Sequence, residues 1–376
     1  MRIGIDARFF GSIGKGLGRY TQKLIENLEK VDNVNQYFIF LKKENFDEYQ
    51  PKNPNFQKVL ADFRWYTFAE QIKFPKLIKK HNLDLMHFPH FNVPIMYNRK
   101  FIVTIHDLIL VHFPTTKSST LAPMFYWLKF LAYKFVINSA INRAQKIIAV
   151  SNFTKKDILK TYPKINADKI TVTYESAEDF CLLTPHNKYD EILARYGMIK
   201  PYITYVGNAY PHKNLERLIL SFKEIRKAEK NLNLILVGKE DYFYRRLKDF
   251  VAKQKIEGVI FTDYIPDHEL DTIFRSSSAF IWPTLYEGFG LPPLEAMSKG
   301  IPVISSDQEC MKEILSDSVY YFDGKNSADI ASSVIKVLND DQLRGVLVKK
   351  GYERVAHYSW KKMAQKTLEV YQNASK

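Results

Sequence analysis

Residues 279–306 read AFIWPTLYEGFGLPPLEAMSKGIPVISS. An apolar run, Ala279 to Trp282, enters a turn punctuated by glycine (Glu287, Gly288, Phe289, Gly290); a helix then opens near Pro292 and Pro293, and a second apolar run covers Ile301 to Ile304. Strand, turn, helix and strand in so short a span make a βαβ unit, whose helix N-terminus faces whatever lies beyond the carboxyl end of the first strand. An anion is favoured there. With the helix starting near Pro292, Glu295 falls in its first turn, where the dipole favours a carboxylate that vicinal hydroxyls could donate to. Glu287 stands at the mouth of the turn, among free backbone N–H groups. One carboxylate suits a ribose and the other a sugar ring, with phosphate on the amides between them. Taken singly, the acids read rather as a first-turn helix acid (Glu295) and a solvated loop acid (Glu287).

Outward from this unit, 376 residues exceed one ordinary core and suit two domains of Rossmann size. A hydrophobic fraction of 46% is that of a globular chain. The two cysteines, Cys181 and Cys310, have no metal-ligand spacing, and the chain opens on the strand Arg2 to Ala7 without a charged-then-apolar leader. A reducing, cytoplasmic setting is expected. The net charge of +14 is uneven: about 27 basic residues stand against about 16 acidic ones up to position 180, so an anionic partner is expected on that half. A phosphorylated substrate and an anionic lipid surface fit; nucleic acid ranks last, because the basic residues are scattered and no nucleic-acid motif accompanies them. A plain solvated basic surface fits as well.

In the first half, strand Arg2–Ala7 leads to Gly11, Gly14, Gly16 and Gly18 and a periodic helix, Tyr20 to Leu28. Glycines between a strand and a helix let backbone approach a phosphate, although a flexible turn explains them too. A second strand, Tyr37 to Leu41, and a helix, Phe68 to Lys80, precede Leu83–Phe88 and Phe101–Ile105, which read as buried parallel strands. The latter ends in His106-Asp107-Leu108, at the position where open α/β sheets carry their sites. Residues 118–143 are strongly apolar yet interrupted by Lys129 and Lys134, too short an uncharged run to span a bilayer. A helix packed into the first domain is expected, with a membrane-interface helix as the alternative. A strand over Lys146–Val150 and a helix capped by Ser151 follow. Periodicity lapses over residues 175–200, taken as the linker. The second half repeats the plan: strand Tyr202–Val206 runs into Gly207-Asn208-Ala209-Tyr210-Pro211-His212-Lys213-Asn214, where Asn214 could cap the next helix and Lys213 offer a cation to a diphosphate. Strands ending at Gly238 and before Tyr264 come next, and the last helix begins at Trp360.

Three strings carry a family resemblance. E-G-F-G-L-P-P-L-E from Glu287 resembles the E-x7-E signature of the retaining glycosyltransferases of family 4; D-A-R at 6–8 with G-L-G-R-Y at 16–20 is similar to that family's first loop, and T-I-H-D-L to its strand-end motif. The resemblance implies an α/β protein of the GT-B fold, two Rossmann-like doubly wound domains facing a central cleft. It implies an acceptor domain over 1–180, a linker over 181–200, a nucleotide-sugar domain over 201–358 and a helix, 359–376, crossing back. It places Gly16, Gly18 and Arg19 near the donor pyrophosphate and His106 beside the donor sugar. Lys213 becomes the diphosphate clamp, Gly207 and Asn208 its loop, and Gly238 and Tyr264 the margin of the base pocket. Glu287 positions the sugar and Glu295 the ribose, while the amides of Gly288, Phe289, Gly290 and Leu291 take phosphate charge. Some relatives carry Arg where Asn208 and His212 stand, which leaves Lys213 with more of that charge, helped by His212 or Arg19. No D-x-D pair is present, so transfer without a metal or other cofactor is expected. The first-guess donor is GDP-mannose, with a glycan or lipid-linked acceptor at the inner membrane face. A non-catalytic nucleotide-sugar-binding protein and another GT-B enzyme, such as an epimerase, remain the alternatives.

Overall fold

A computed structural model describes residues 1–114, 123–177 and 185–375. They divide into two compact units: Met1–His112, Leu121–Glu175 and Ser359–Lys376 in the first, Phe113–Thr120 and Ser176–Tyr358 in the second, each in its described part. The first carries seven parallel strands, β1 (Arg2–Asp6), β2 (Gln36–Leu41), β3 (Phe56–Leu60), β4 (Leu85–Phe88), β5 (Phe101–Ile105), β6 (Lys146–Ala149) and β7 (Ile170–Val172), in the order β3-β2-β1-β4-β5-β6-β7. The second carries six, β8 (Tyr202–Val206), β9 (Asn233–Val237), β10 (Val259–Phe261), β11 (Ala279–Trp282), β12 (Val303–Ser306) and β13 (Tyr320–Phe322), in the order β10-β9-β8-β11-β12-β13. In both sheets the first strand of the unit lies beside its fourth, Ile3 opposite Leu85 and Ile203 opposite Ala279. Loops leaving such a pair depart to opposite faces and open a crevice at the strands' carboxyl ends. The expected doubly wound plan therefore holds in each unit.

Central strands β4 and β5 are buried throughout, which is why they read as unbroken apolar runs. The edge strands β3 and β7 escaped sequence reading: FQKVL and ITV are short and half-buried, with no apolar run to mark them. The Trp360–Ser375 helix packs on the Lys15–Val31 helix, and its Tyr371 hydroxyl lies 2.8 Å from His87 Nδ1, whose Nε2 meets Thr104 Oγ1 at 2.8 Å. That ring is wholly buried, and burial drops its pKa to about 3.

Two expectations are corrected here. The stretch taken as linker holds a helix, Tyr189–Arg195, packed on the Asp267–Ser276 helix of the second unit, with Arg195 and Tyr196 both bound to the Glu269 carboxylate. The Pro123–Arg143 helix is only half packed. Ile137, Ala140 and Ile141 enter the core, whereas Phe125, Leu128, Leu131 and Phe135 stay 55–62% exposed. Among the described residues no helix is long and apolar enough to cross a membrane.

Candidate functional site

In the first unit the glycine run is not the loop expected of it. Gly11–Gly14 forms a 3-10 turn and the helix already begins at Lys15, so Gly16, Gly18 and Arg19 lie in its opening turns. The two glycines differ in what they face. A Cβ on Gly18 would overlap the carbonyl oxygens of Gly11 and Phe9, while one on Gly16 would meet nothing within 4 Å. Gly18 is thus required by packing, and Gly16 leaves an open backbone of the kind a ligand can approach. The D-A-R motif proves structural: Arg8 is fully buried, grips Asp6 through Nε (2.8 Å) and Nη2 (2.7 Å), reaches Glu70 at 2.7 Å and lies 4.0 Å over the Phe74 ring.

His106, at the end of β5, touches the glycine helix through Tyr20, whose ring meets it edge-on at 4.7 Å. Its Nε2 lies 2.9 Å from the Pro89 carbonyl oxygen and its Nδ1 3.2 Å from Glu175 Oε1. A carbonyl and a carboxylate both accept, so this pair of partners favours the protonated ring. Burial is the largest influence and opposes that charge; the Glu175 carboxylate, the Pro89 carbonyl and Asp107 together outweigh it, and the net pKa shift is upward. Glu175, the first residue of the stretch where periodicity lapses, was missed, because nothing in its sequence neighbourhood ties it to His106, 69 residues away. Asp107 accepts from Ile109 N at 2.9 Å and shapes the loop. His106, Asp107, His90, Phe91, Leu110 and Tyr133 line a cavity of about 50 Å³.

In the second unit, the loops after β8 and β11 meet at the switch point. Lys213 Nζ lies 2.5 Å from Glu287 Oε1, the same oxygen accepts from Thr284 Oγ1 at 2.9 Å, and Lys213 and Glu287 are only 8% and 7% exposed. Sequence reads the two residues separately, as clamp and as sugar-positioning acid; the fold pairs them. Beneath them lies Trp282, also missed by sequence reading. Its ring is 4.7 Å from Lys213 Nζ, and its buried Nε1 has no acceptor among the described residues. His212 offers little charge to a phosphate, because burial lowers its pKa to about 4 despite Glu287, with Lys213 adding to the drop.

Asn214 does not cap its helix. Its backbone is left-handed (φ 62°), and its amide instead donates to the Pro283 and Gly324 carbonyls at 3.1 and 2.7 Å, tying the β8 loop to the β11 loop. The next helix runs Leu291–Ser298, one residue earlier than expected, with Gly290 (φ 91°) before it and Met311 where a Cβ on Gly290 would point. Glu295, 4% exposed, consequently falls beyond the first turn. Pro292 and Pro293 remove two of the helix's leading N–H donors, so an anion here would rely on the loop amides of Gly288, Phe289 and Gly290 and on Leu291. Gly207 and Gly238 abut: a Cβ on Gly238 would overlap the Gly207 carbonyl and the Tyr244 hydroxyl. Asn208 folds its own loop, accepting from the Tyr205 hydroxyl at 2.7 Å. Tyr264 is 63% exposed beside Asp263, whose Oδ1 accepts from Glu240 N and Tyr264 N at 2.7 Å each and joins the ends of β9 and β10. Among the described residues no group of three or more His, Cys, Asp or Glu could hold a metal ion.

Residues 195–354 match the family described as Glycosyl transferases group 1, and residues 14–176 match Glycosyltransferase Family 4. The chain is 25% identical to O-antigen chain mannosyltransferase B of Escherichia coli, over 95% of each chain. It is also 25% identical to O-antigen chain mannosyltransferase RfbU of Salmonella typhimurium, over 94% of this chain and 95% of that one. Sucrose-phosphate synthase from Thermosynechococcus elongatus shares the fold, with a TM-score of 0.73 over 99% of this chain and 98% of that one at 19% identity.

Proposed function

This chain belongs to the glycosyltransferases of the GT-B fold, and from that membership we propose that it moves a hexosyl group, mannose first, from a nucleoside-diphosphate sugar to a hydroxyl of a glycan or lipid-linked acceptor. Transfer retains the anomeric configuration and uses no metal ion or other cofactor. The mannosyl choice, with GDP-mannose as donor, is supported by the two O-antigen mannosyltransferases that the chain resembles end to end.

The observation that carries the reading is the Lys213–Glu287 pair at the switch point of the second sheet. A diphosphate arriving at Lys213 competes with the Glu287 carboxylate for the ammonium. Its binding leaves Lys213 on the phosphate and frees Glu287 to accept from sugar hydroxyls. As the bond between the anomeric carbon and the phosphate oxygen breaks, charge grows on the diphosphate, where Lys213 and the amides from Gly288 to Leu291 stabilise it. The acceptor oxygen bonds to the anomeric carbon from the same face, and its proton passes to the departing phosphate oxygen. His106, hydrogen-bonded to Glu175 and to the Pro89 carbonyl, is assigned to positioning the donor sugar, as the family resemblance implies, and not to acting as a nucleophile. The peripheral partner is an anionic membrane surface, supported by the basic excess of the first half.

The test is transfer from GDP-mannose to a lipid-linked oligosaccharide in excess EDTA, with the product's anomeric configuration read by NMR. Retained configuration and unchanged rate are expected; a strict manganese requirement or an inverted product refutes the mechanism. A folded sample that neither turns over nor is thermally stabilised by any nucleotide sugar points instead to an unrelated binding role.

A further inference from the structure

The Pro123–Arg143 helix presents two apolar faces. Tyr133, Ile137, Ala140 and Ile141 follow helical spacing and pack against the core of the first unit. Met124, Trp127, Leu128, Leu131 and Phe135 fall at i, i+3, i+4, i+7 and i+11, form one stripe on the opposite side and are 46–66% exposed. So many large apolar side chains in one stripe exceed the scattered exposure usual on a soluble surface. Lys129 and Lys134 are both exposed, Lys134 next to the stripe, and no acidic residue occurs from 123 to 143.

Other elements of the first unit connect to this helix and expose apolar side chains of their own. Arg143 Nη1 donates to the Ile95 carbonyl at 2.9 Å, and Ile95 N donates to Gln71 Oε1 of the Phe68–Lys79 helix at 2.7 Å. Ile95 and Met96 between them are 37% and 61% exposed. A second connection runs through rings, Tyr133 to Phe91 at 4.8 Å and Phe91 to Tyr66 at 6.5 Å. The Phe68–Lys79 helix in turn exposes Phe68 (90%) and Ile72 (46%) next to Lys73 and Lys76, while its one acid, Glu70, is buried against Arg8.

From these exposed apolar side chains and the exposed lysines on the same two helices we infer that the first unit docks on an anionic lipid bilayer, laying the outer stripe of the Pro123–Arg143 helix and the Phe68 end of its neighbour into the headgroup layer. Apolar side chains at the centre, an aromatic at the boundary and lysines at the edge are the arrangement that an interfacial helix needs. A second copy of this chain is the poorer occupant, since a face-to-face dimer would set lysine against lysine. The inference deepens the membrane partner proposed above and locates it; it does not depend on the identity of the donor.

Co-sedimentation of the full chain with phosphatidylcholine vesicles, with and without phosphatidylglycerol, tests it. Binding to the anionic vesicles that weakens with salt is expected. Leu128→Glu/Leu131→Glu changes two exposed positions and should abolish binding while leaving thermal stabilisation by nucleotide sugar intact. Lys129→Glu/Lys134→Glu should lower partitioning more than about 25-fold, at about fivefold per lysine near an anionic surface. No binding to anionic vesicles, or equal binding by wild type and the leucine variant, overturns the inference. Concentration-dependent dimerisation that the leucine variant abolishes, without vesicle binding, also overturns it and assigns the surface to a second copy. Turnover on a soluble acceptor analogue is independent of all these outcomes, so failure here leaves the proposed reaction standing.

Discussion

Lys213→Met is the most demanding test of the second-unit site. The pair it breaks is buried, and after the substitution Glu287 Oε1 keeps only the Thr284 hydroxyl, at 2.9 Å, among its described side-chain partners. Removing one member of a buried pair costs about 3–5 kcal/mol, because the remaining charge stays desolvated. In a unit of this size that lowers the melting temperature by about 10 °C. Adding Glu287→Gln removes the stranded charge, so the double variant should be more stable than Lys213→Met alone, with a coupling of about 2 kcal/mol or more. Thermal unfolding followed by tryptophan fluorescence suits the measurement, since Trp282 lies directly under Lys213. The same samples with GDP added read the proposed role: wild type should be stabilised and both variants much less so. Strict additivity of the two substitutions, or a Lys213→Met protein within about 1 kcal/mol of wild type, would show that the pair is not the buried contact described.

Acidification should destabilise the fold. Burial holds the His87 and His90 pKa values down to about 3 and that of His212 to about 4. These rings stay neutral when folded, while the unfolded chain takes up protons below about pH 6.5, so stability falls by about 2 kcal/mol per ring at pH 5. His106, shifted upward, works in the opposite sense, contributing most below its unfolded value and losing that contribution as pH rises through its folded one; a melting temperature flat from pH 7 to pH 5 would contradict the balance. Glu175→Gln should lower the His106 pKa in an NMR titration and make donor turnover fall at lower pH than in wild type, whereas an unmoved titration would refute the preference for the protonated ring. Gly18→Ala should destabilise the first unit by about 1–3 kcal/mol through overlap with the Gly11 and Phe9 carbonyls, and Gly16→Ala should be neutral or stabilising by up to about 1 kcal/mol. If Gly16 lies near the pyrophosphate, its alanine variant weakens donor binding without loss of stability; unchanged binding removes it from the site.

Sequence alone determined the central strands and the loops that carry the candidate site, because strand β5 and the run from Ala279 to Ile304 encode their structure locally, by apolar run, glycine and proline; the doubly wound plan is what the family resemblance implies. Family resemblance pointed at His106, Lys213 and Glu287 individually. What tertiary structure decided was pairing and exposure. Glu175 meets His106 and Glu287 meets Lys213 across 69 and 74 residues of chain, and no local pattern records which acid a given cation will find. Asn214 could have capped a helix; its left-handed backbone turned the amide toward Pro283 and Gly324 instead. The Pro123–Arg143 helix shows the same limit most plainly. Apolar residues all round it read as burial, but a helix packed on the core by one side has another that only the packed fold leaves open to solvent.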